Sequence, residues 1–285
     1  MRHDPDERLD FPGSLPFLFM HLACILPIWT GVSSAAVVVC LVLYTVRMFG
    51  ITAGYHRYFS HRSYETSRAF QFVLGCLGAM AAQKGPLWWA AHHRRHHGYS
   101  DTAEDVHSPV VRGFWWSRVG WFLCRKYEKT DVQVIRDLVR YPELRFLDRF
   151  HALLPVALAG FTLALGELLR VLAPGINTSA AQVLVWGFFI STILVYHGTF
   201  AVNSLAHVIG RRRFPTKDHS RNNLLIALIT FGEGWHNNHH YAPSSERQGF
   251  YWWEIDVSHC ILKALSWCGL VWDLQGPPSR AYRRL

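Results

Sequence analysis

Thiol chemistry has little foothold in this chain. Its six cysteines (Cys24, Cys40, Cys76, Cys124, Cys260, Cys268) form no C-x-x-C pair and show none of the dense spacing of a disulfide framework. Neither a thiolate metal site nor a disulfide scaffold is indicated. Cys24 and Cys40 lie inside apolar runs, where a free thiol behaves as a small hydrophobe. The segment MRHDPDERLD lacks a basic n-region, a short apolar core and a small-residue cleavage site. Apolar segments downstream are therefore expected to stay in the mature chain. No Gly-rich nucleotide fingerprint, His-Pro-Gly-Gly haem segment or H-E-x-x-H is present, which argues against a bound flavin or nicotinamide, a fused haem domain and a zinc protease. No basic helix interleaved with base-stacking aromatics stands apart from the apolar segments, so nucleic acid is not an expected partner.

Basic residues are missing from two long stretches. No Lys or Arg lies between Arg8 and Arg47, or between Arg170 and Arg211. These gaps contain or adjoin four apolar runs, at residues 15–30, 32–53, 150–173 and 181–207. A membrane helix needs about 20 mostly apolar residues, so four spans are predicted, the first short and carrying Pro16 and Pro27. Short uncharged connections predict two helical hairpins. The basic residues concentrate in 54–149 and 208–285, which by the positive-inside rule puts both termini and both polar segments on the cytoplasmic side. The net charge of +9 then reflects topology. Arg170 is the exception, and Glu167, three residues earlier, is placed to pair with it. The apolar run 69–82 is too short to span and belongs to the cap or the interface. The expected fold is all-α: four membrane helices in two hairpins under a cytosolic helical cap, forming one domain over 1–285. Paired tryptophans at 88–89, 115–116 and 252–253 suit the cap core or the headgroup level equally.

What the chain has in excess is histidine, 17 in all. His21, His151 and His197 stand alone in apolar surroundings, where a hydrogen-bonded structural role is the ordinary expectation. Three clusters differ. His56 and His61 come after the second run; five residues on an ideal helix is about 140° of rotation, so the two rings converge only if the helix ends there. His93, His96 and His97 repeat at offsets of three and four and share a helical face. His236, His239 and His240 repeat that geometry, and Asn203 and His207 lie four apart at the end of the fourth run. Imidazole is a neutral ligand suited to iron, zinc, copper and nickel, and one such ion takes roughly four to six ligands. Nine clustered histidines therefore imply two ions.

The segments Gly50–Arg62 around His56 and His61, His93–Ser100, Gly232–His240 and Asn203–His207 together resemble the membrane acyl desaturases related to stearoyl-CoA desaturase, over about residues 11–273. The resemblance implies a mushroom of four spans under a cap, with a kinked apolar tunnel for the acyl chain. It implies two iron ions held by His56, His61, His93, His96, His97, His207, His236, His239 and His240, with Asn203 reaching one iron through water. It implies O2-dependent insertion of a cis double bond, at the ninth carbon, with acyl-CoA as the expected carrier and an acyl-lipid as the alternative. The segment Gln83–Trp89 is similar to bacterial members, and Ala91 and His92 stand where animal acyl-CoA enzymes carry Arg and Asp, which points to a bacterial inner membrane. His92 and His107 fall outside the ligand set, His92 being expected beside it or at the surface. Arg112, Arg118, Arg125 and Lys126 are candidate phosphate partners, and Cys40 or Tyr44 a candidate tunnel plug. Electrons are expected from an external ferredoxin, rubredoxin or cytochrome b5-like donor. A membrane di-iron hydroxylase or alkane monooxygenase is the nearest rival, and a metal transporter the rival from another class.

Overall fold

Four apolar helices dominate the architecture. The structure is a computed structural model that describes residues 7–282; the charged segment 1–6 and residues 283–285 lie outside the described residues. The helices long and apolar enough to cross a membrane are Phe11–Thr30, Ser34–Ser60, Leu153–Leu172 and Ala180–His207. They match the four apolar runs with shifted ends. The first begins at Phe11 rather than 15, because Pro12 in the opening turn sacrifices no intrahelical bond. It is interrupted after Ala23 and resumes at Pro27–Thr30, as expected of a proline that cannot donate to the helical ladder.

The second span runs past its expected end at 53. Ser33 caps it by accepting the Ala36 N–H at 3.2 Å, and after Phe49 the helix widens into a π-helix over Gly50–Ser60. Arg47, the one charge in this run, is buried and donates to Leu43 O (3.1 Å), Thr192 Oγ1 (2.5 Å) and Ser191 Oγ. Its charge is thus met by the fourth span. At the opposite end, Ser33 Oγ lies 2.7 Å from Thr178 Oγ1, and Gln182 Nε2 donates to Thr30 O at 2.9 Å, so the turns after the first and third spans meet. Arg170 pairs with Glu167 at Nε–Oε2 3.0 Å, as the spacing predicts.

Two of the remaining helices, Pro86–Tyr99 and His236–Tyr241, carry six of the nine clustered histidines. Helix Arg68–Ala79 is too short to span and lies against the π-helix. A Cβ on Gly50 would sit 2.4 Å from the Leu77 backbone, and one on Gly78 would sit 2.2 Å from the Tyr55 ring. Glycine at both positions permits this approach to the π-helix that carries His56. Helix Pro86–Tyr99 comes next, then helix His236–Tyr241 and helix Val257–Trp267. The only sheet among the described residues is the two-residue antiparallel pair Glu65–Thr66 with Val271–Trp272. The tryptophan pairs divide: Trp88 is buried and stacks on Trp121 at 5.6 Å, whereas Trp252 is 83% exposed. The first pair is core, and the third presents its rings outward.

Candidate metal centre

The first histidine cluster, His56 and His61 (box one), works through the π-helix. An ideal α-helix would set His56 and His61 far apart in angle, but an i→i+5 helix stacks residues five apart. His61 N–H donates to His56 O at 3.2 Å, His61 is the terminal cap, and the rings lie 4.9 Å apart. The helix does end there, as expected, and its wider turn adds the alignment that the sequence did not show.

The second cluster, His93, His96 and His97 (box two), and the third, His236, His239 and His240 (box three), then interlock. His93 and His97, four apart on helix Pro86–Tyr99, join His56, His61 and His239 in one group of five. His236 and His240, four apart on helix His236–Tyr241, join His96 and His207 in a group of four. In each box the i, i+4 pair serves one group, and the residue between them, at i+3, turns about 100° away to serve the other. Within each group the ring nitrogens lie within 4.8 Å of one another. The groups abut: His97 stacks on His240 at 4.4 Å between ring centroids, and His96 lies 5.5 Å from His97. All nine predicted histidines are thus brought together.

The donor set fits a metal ion. His56 Nε2 and His239 Nε2 are 3.0 Å apart; His61–His93, His239–His97 and His207–His236 are each 2.9 Å by the same atoms. Ligands at about 2.1 Å in adjacent octahedral positions are about 3.0 Å apart. One ring nitrogen meeting two others cannot be satisfied by sharing protons alone. His240 Nε2 is buried with no partner, which is costly unless a ligand completes it.

Carboxylates orient the rings from outside. His96 Nδ1 lies 3.0 Å from Asp105 Oδ2, His207 Nδ1 2.9 Å from Asp101 Oδ2, and His240 Nδ1 2.7 Å from Asp218 Oδ2; His56 Nδ1 contacts Glu233. A carboxylate on Nδ1 fixes the proton there and leaves Nε2 bare for metal. Gln248 Nε2 donates to Glu233 Oε2 at 3.1 Å. Sequence reasoning missed all five residues. Asp101 and Asp105 come soon after box two, and Glu233 precedes His236 by three, so a search for carboxylates near each box would have found those three, though not Asp218 or Gln248. Glu104–His107 and Glu233–His236 even have the Glu-x-x-His spacing of soluble di-iron bundles. Glu233 turns to His56 instead, and Glu104 accepts from Thr102 Oγ1 at 3.0 Å.

These surroundings favour the neutral form of six of the imidazoles. Burial, then the neighbouring rings, push His61, His93, His97, His236 and His239 well below the ordinary imidazole range. Burial takes His240 to about 4, opposed by Asp218. Burial would lower His96, but Asp105, with Asp101 and Asp218 behind it, outweighs that and raises it. Burial alone would raise Asp105 and Asp218, but their histidines hold both below the usual carboxylate range. Neutral rings in the fold and protonated rings in the unfolded chain mean that the unfolded state binds more protons below about pH 6.5. The melting temperature of metal-stripped protein is therefore expected to fall as pH drops from 6.5 towards 4; a flat profile in that window would contradict the assignment.

Asp218 gives a sharper prediction. Its Oδ1 accepts from Thr216 Oγ1 (3.0 Å) and the Ser220 N–H (2.9 Å). In Asp218→Asn the amide oxygen must stay on those donors, so the NH2 faces His240 Nδ1 and drives the ring proton to Nε2. Metal affinity is expected to fall about 10–100-fold, measured by chelator competition; unchanged affinity would rule out this role.

Beside the histidines lies a cavity of about 620 Å³, within the usual range for ligand sites, lined by His93, His107, Asn203, Trp121 and apolar side chains of the first, third and fourth spans. His92, expected beside the centre or at the surface, lines this cavity, its Nδ1 2.9 Å from Trp88 O. Burial takes it to about 4. Asn203 is on the cavity wall. Neither Cys40 nor Tyr44 lines it: Cys40 is buried elsewhere, and Tyr44 bonds Ile229 O and packs edge-on to Phe231. Its span-side wall includes Met20, Ala159, Phe188 and Phe189 instead. The phosphate-partner residues are engaged: Arg112 and Lys126 with Glu7, Arg125 with Asp10, and Arg118 with Ser204 and His197.

The family model for fatty acid desaturases matches residues 33–265. The chain belongs to the fatty acid desaturase family. It is 35% identical over 271 residues to an sn-1 stearoyl-lipid 9-desaturase of Anabaena variabilis, covering 94% of each chain. It is 37% identical over 257 residues to an acyl-CoA C20 Delta5-desaturase of Anemone leveillei, covering 86% of this chain and 75% of the relative. It is 34% identical over 267 residues to a hex-5-enoyl-[acyl-carrier protein] acetylenase of Moorena producens, covering 88% and 80%. This desaturase is thus a membrane oxidoreductase of lipid metabolism with a histidine-rich metal-binding centre.

Proposed function

We propose that this desaturase inserts a cis double bond, at the ninth carbon, into a saturated acyl chain lying in the cavity. The observation that carries the reading is one continuous site in which His93 and Asn203 belong to an apolar cavity while His93 also belongs to the group of five histidines. His56, His61, His93, His97 and His239 would hold one iron, and His96, His207, His236 and His240 the other, with Asn203 adding a water-mediated contact. Such a pair of irons supplies O2 activation and removal of hydrogen from unactivated methylenes. The balance is one acyl chain, O2, two electrons and two protons giving the alkene and two waters. The protein's own part is positional. The four carboxylates fix ring tautomers, the apolar walls exclude water, and the span side chains hold two adjacent methylenes against the centre.

The topology belongs to the same reading: two hairpins in a single domain, with the histidine end and both termini in the cytoplasm of a bacterial inner membrane. Electrons would come from a ferredoxin, rubredoxin or cytochrome b5-like protein docking on the basic cap. A transporter would set its polar ligands near the bilayer midplane, whereas His56 and His207 close the same ends of their spans. A hydroxylase shares the first hydrogen abstraction and differs only in the step after it. Expression in a host without aerobic desaturases, with a competent donor and His96→Ala as control, tests the reading by mass spectrometry of total fatty acids. A new monoene in wild type alone supports it; hydroxy acids would move the chain to the hydroxylases. The relatives' names divide among lipid, CoA and acyl-carrier-protein substrates.

A further inference from the structure

Helix His236–Tyr241 is six residues long, and a helix shorter than about 12 residues is marginal on its own hydrogen bonds. Yet it delivers His236 and His240 to one group of ligands and His239 to the other. Its rigidity comes from outside, through the two asparagines between its histidines. Asn237 and Asn238 are fully buried. Asn237 Oδ1 accepts the Arg213 and Phe214 N–H groups, each at 2.7 Å. Asn238 Nδ2 donates to Gln248 O at 2.9 Å and to Glu254 Oε2 at 3.0 Å.

A third asparagine, Asn222, lies outside the box, is buried, and holds the helix by its first turn. Its Oδ1 accepts the backbone N–H of Asn237 at 2.9 Å and of Asn238 at 3.1 Å, donors that a helix leaves free in its opening turn. A backbone N–H can only donate, so the atom facing both is the carboxamide oxygen. The NH2 of Asn222 therefore faces Asn238 Oδ1, at 2.7 Å, and the whole side chain is satisfied. Asn238 cannot reverse its own amide in response to a change here. Its NH2 is committed to Gln248 and Glu254, and its Oδ1 also takes Arg213 Nη1 at 3.3 Å.

The backbone around Asn222 reaches a second ligand segment. Arg221 N–H donates to Ala206 O at 2.7 Å, and Ala206 directly precedes His207. Asn222 and Arg211 exchange both backbone hydrogen bonds, at 2.8 and 2.9 Å. Asn222 thus stands between the segment carrying His207 and the helix carrying His236 and His240. Those are three of the four histidines in the group completed by His96. The group of five draws only His239 from this helix, so a shift of the helix disturbs the group of four at more positions.

Building on the two-iron reading, we propose that Asn222 is a positioning residue: its carboxamide sets the register of His236 and His240 against His207, and so the affinity of the group of four for iron. Asn222→Asp keeps the size and the acceptor but sets a carboxylate oxygen against Asn238 Oδ1. The test is anaerobic chelator competition on purified, iron-loaded protein. In Asn222→Asp one iron is expected to bind ~10–100-fold more weakly and the other within ~3-fold of wild type. Asn222→Ala, which removes the acceptor without adding charge, is the second variant and is expected to show the same selective loss. Adding His239→Ala to Asn222→Asp should remove the remaining tight iron, whereas adding His96→Ala should not. Asn223→Asp is the control: Asn223 Oδ1 caps the next helix by accepting the Ile226 N–H at 3.1 Å, a task aspartate performs equally well, and both irons should stay. Wild-type affinity for both irons in both Asn222 variants would overturn the proposal. So would equal weakening of the two irons, the result of a merely structural role. Wild-type protein holding fewer than two irons would overturn the two-iron reading, and this proposal with it.

Discussion

Replacing His239 with alanine is expected to leave the protein with about half the wild-type iron and no detectable desaturation. His239 Nε2 is within 3.0 Å of His56 Nε2 and 2.9 Å of His97 Nε2, so its removal takes away the one nitrogen that box three contributes to the group of five. The other four histidines of that group come from only two segments. The group of four, built from His96, His207, His236 and His240, keeps every member and its carboxylates. Metal analysis after size exclusion should therefore show loss of one ion rather than two. Retention of both irons with activity intact would show that His239 is not a ligand. Complete loss of both would show that the two groups bind as one cooperative unit.

The second large effect lies outside the ligand set. Arg57 is buried and donates to Asp256 Oδ1 (2.9 Å), Glu233 Oε1 (3.2 Å) and Glu246 O (2.9 Å). Glu233 in turn meets His56 Nδ1, so one guanidinium balances the carboxylates behind box one. Gly232 makes room for this: it sits at φ +117°, and a Cβ there would fall 2.4 Å from Asp256 Oδ1. Arg57→Ala would leave buried carboxylates without a counter-charge and is expected to cost about 3–5 kcal/mol. Arg57→Lys should recover only part, because a point charge cannot serve three acceptors as a fork does. Arg62→Ala is the control. Its pair with Asp137 is part-exposed at 3.1 Å, and its loss should cost about 0–1 kcal/mol. Thermal unfolding in detergent ranks the three, and equal melting temperatures for Arg57→Ala and Arg62→Ala would contradict the network.

Much of this was legible in the sequence because the signals are local. Four apolar runs gave four spans to within a few residues, apart from the end of the second. Offsets of three and four at His93–His97 and His236–His240 placed three rings on one face each. What stayed hidden depends on contacts between distant segments. The division of each box between two groups appears only when helices Pro86–Tyr99 and His236–Tyr241 face each other. The π-helix at Gly50–Ser60 depends on packing against helix Arg68–Ala79, which no periodicity announces. Asp218 lies 22 residues from His240, and Asp101 lies 106 from His207. A plug at Cys40 or Tyr44 rests on distance along one helix, whereas the cavity wall is made by the other three. Charge alone marks Arg112, Arg125 and Lys126 as phosphate partners; Glu7 and Asp10, which pair with them, are distant in sequence.

The most direct test is a single turnover. Purified, iron-loaded protein in stearoyl-lipid vesicles would be chemically reduced without oxygen, then mixed with O2 and quenched. Two irons per chain and about one double bond per pair of irons are expected, since one bond consumes two electrons beyond those of the acyl chain. An oxidised centre with no alkene, or with a hydroxylated chain in its place, would contradict the account.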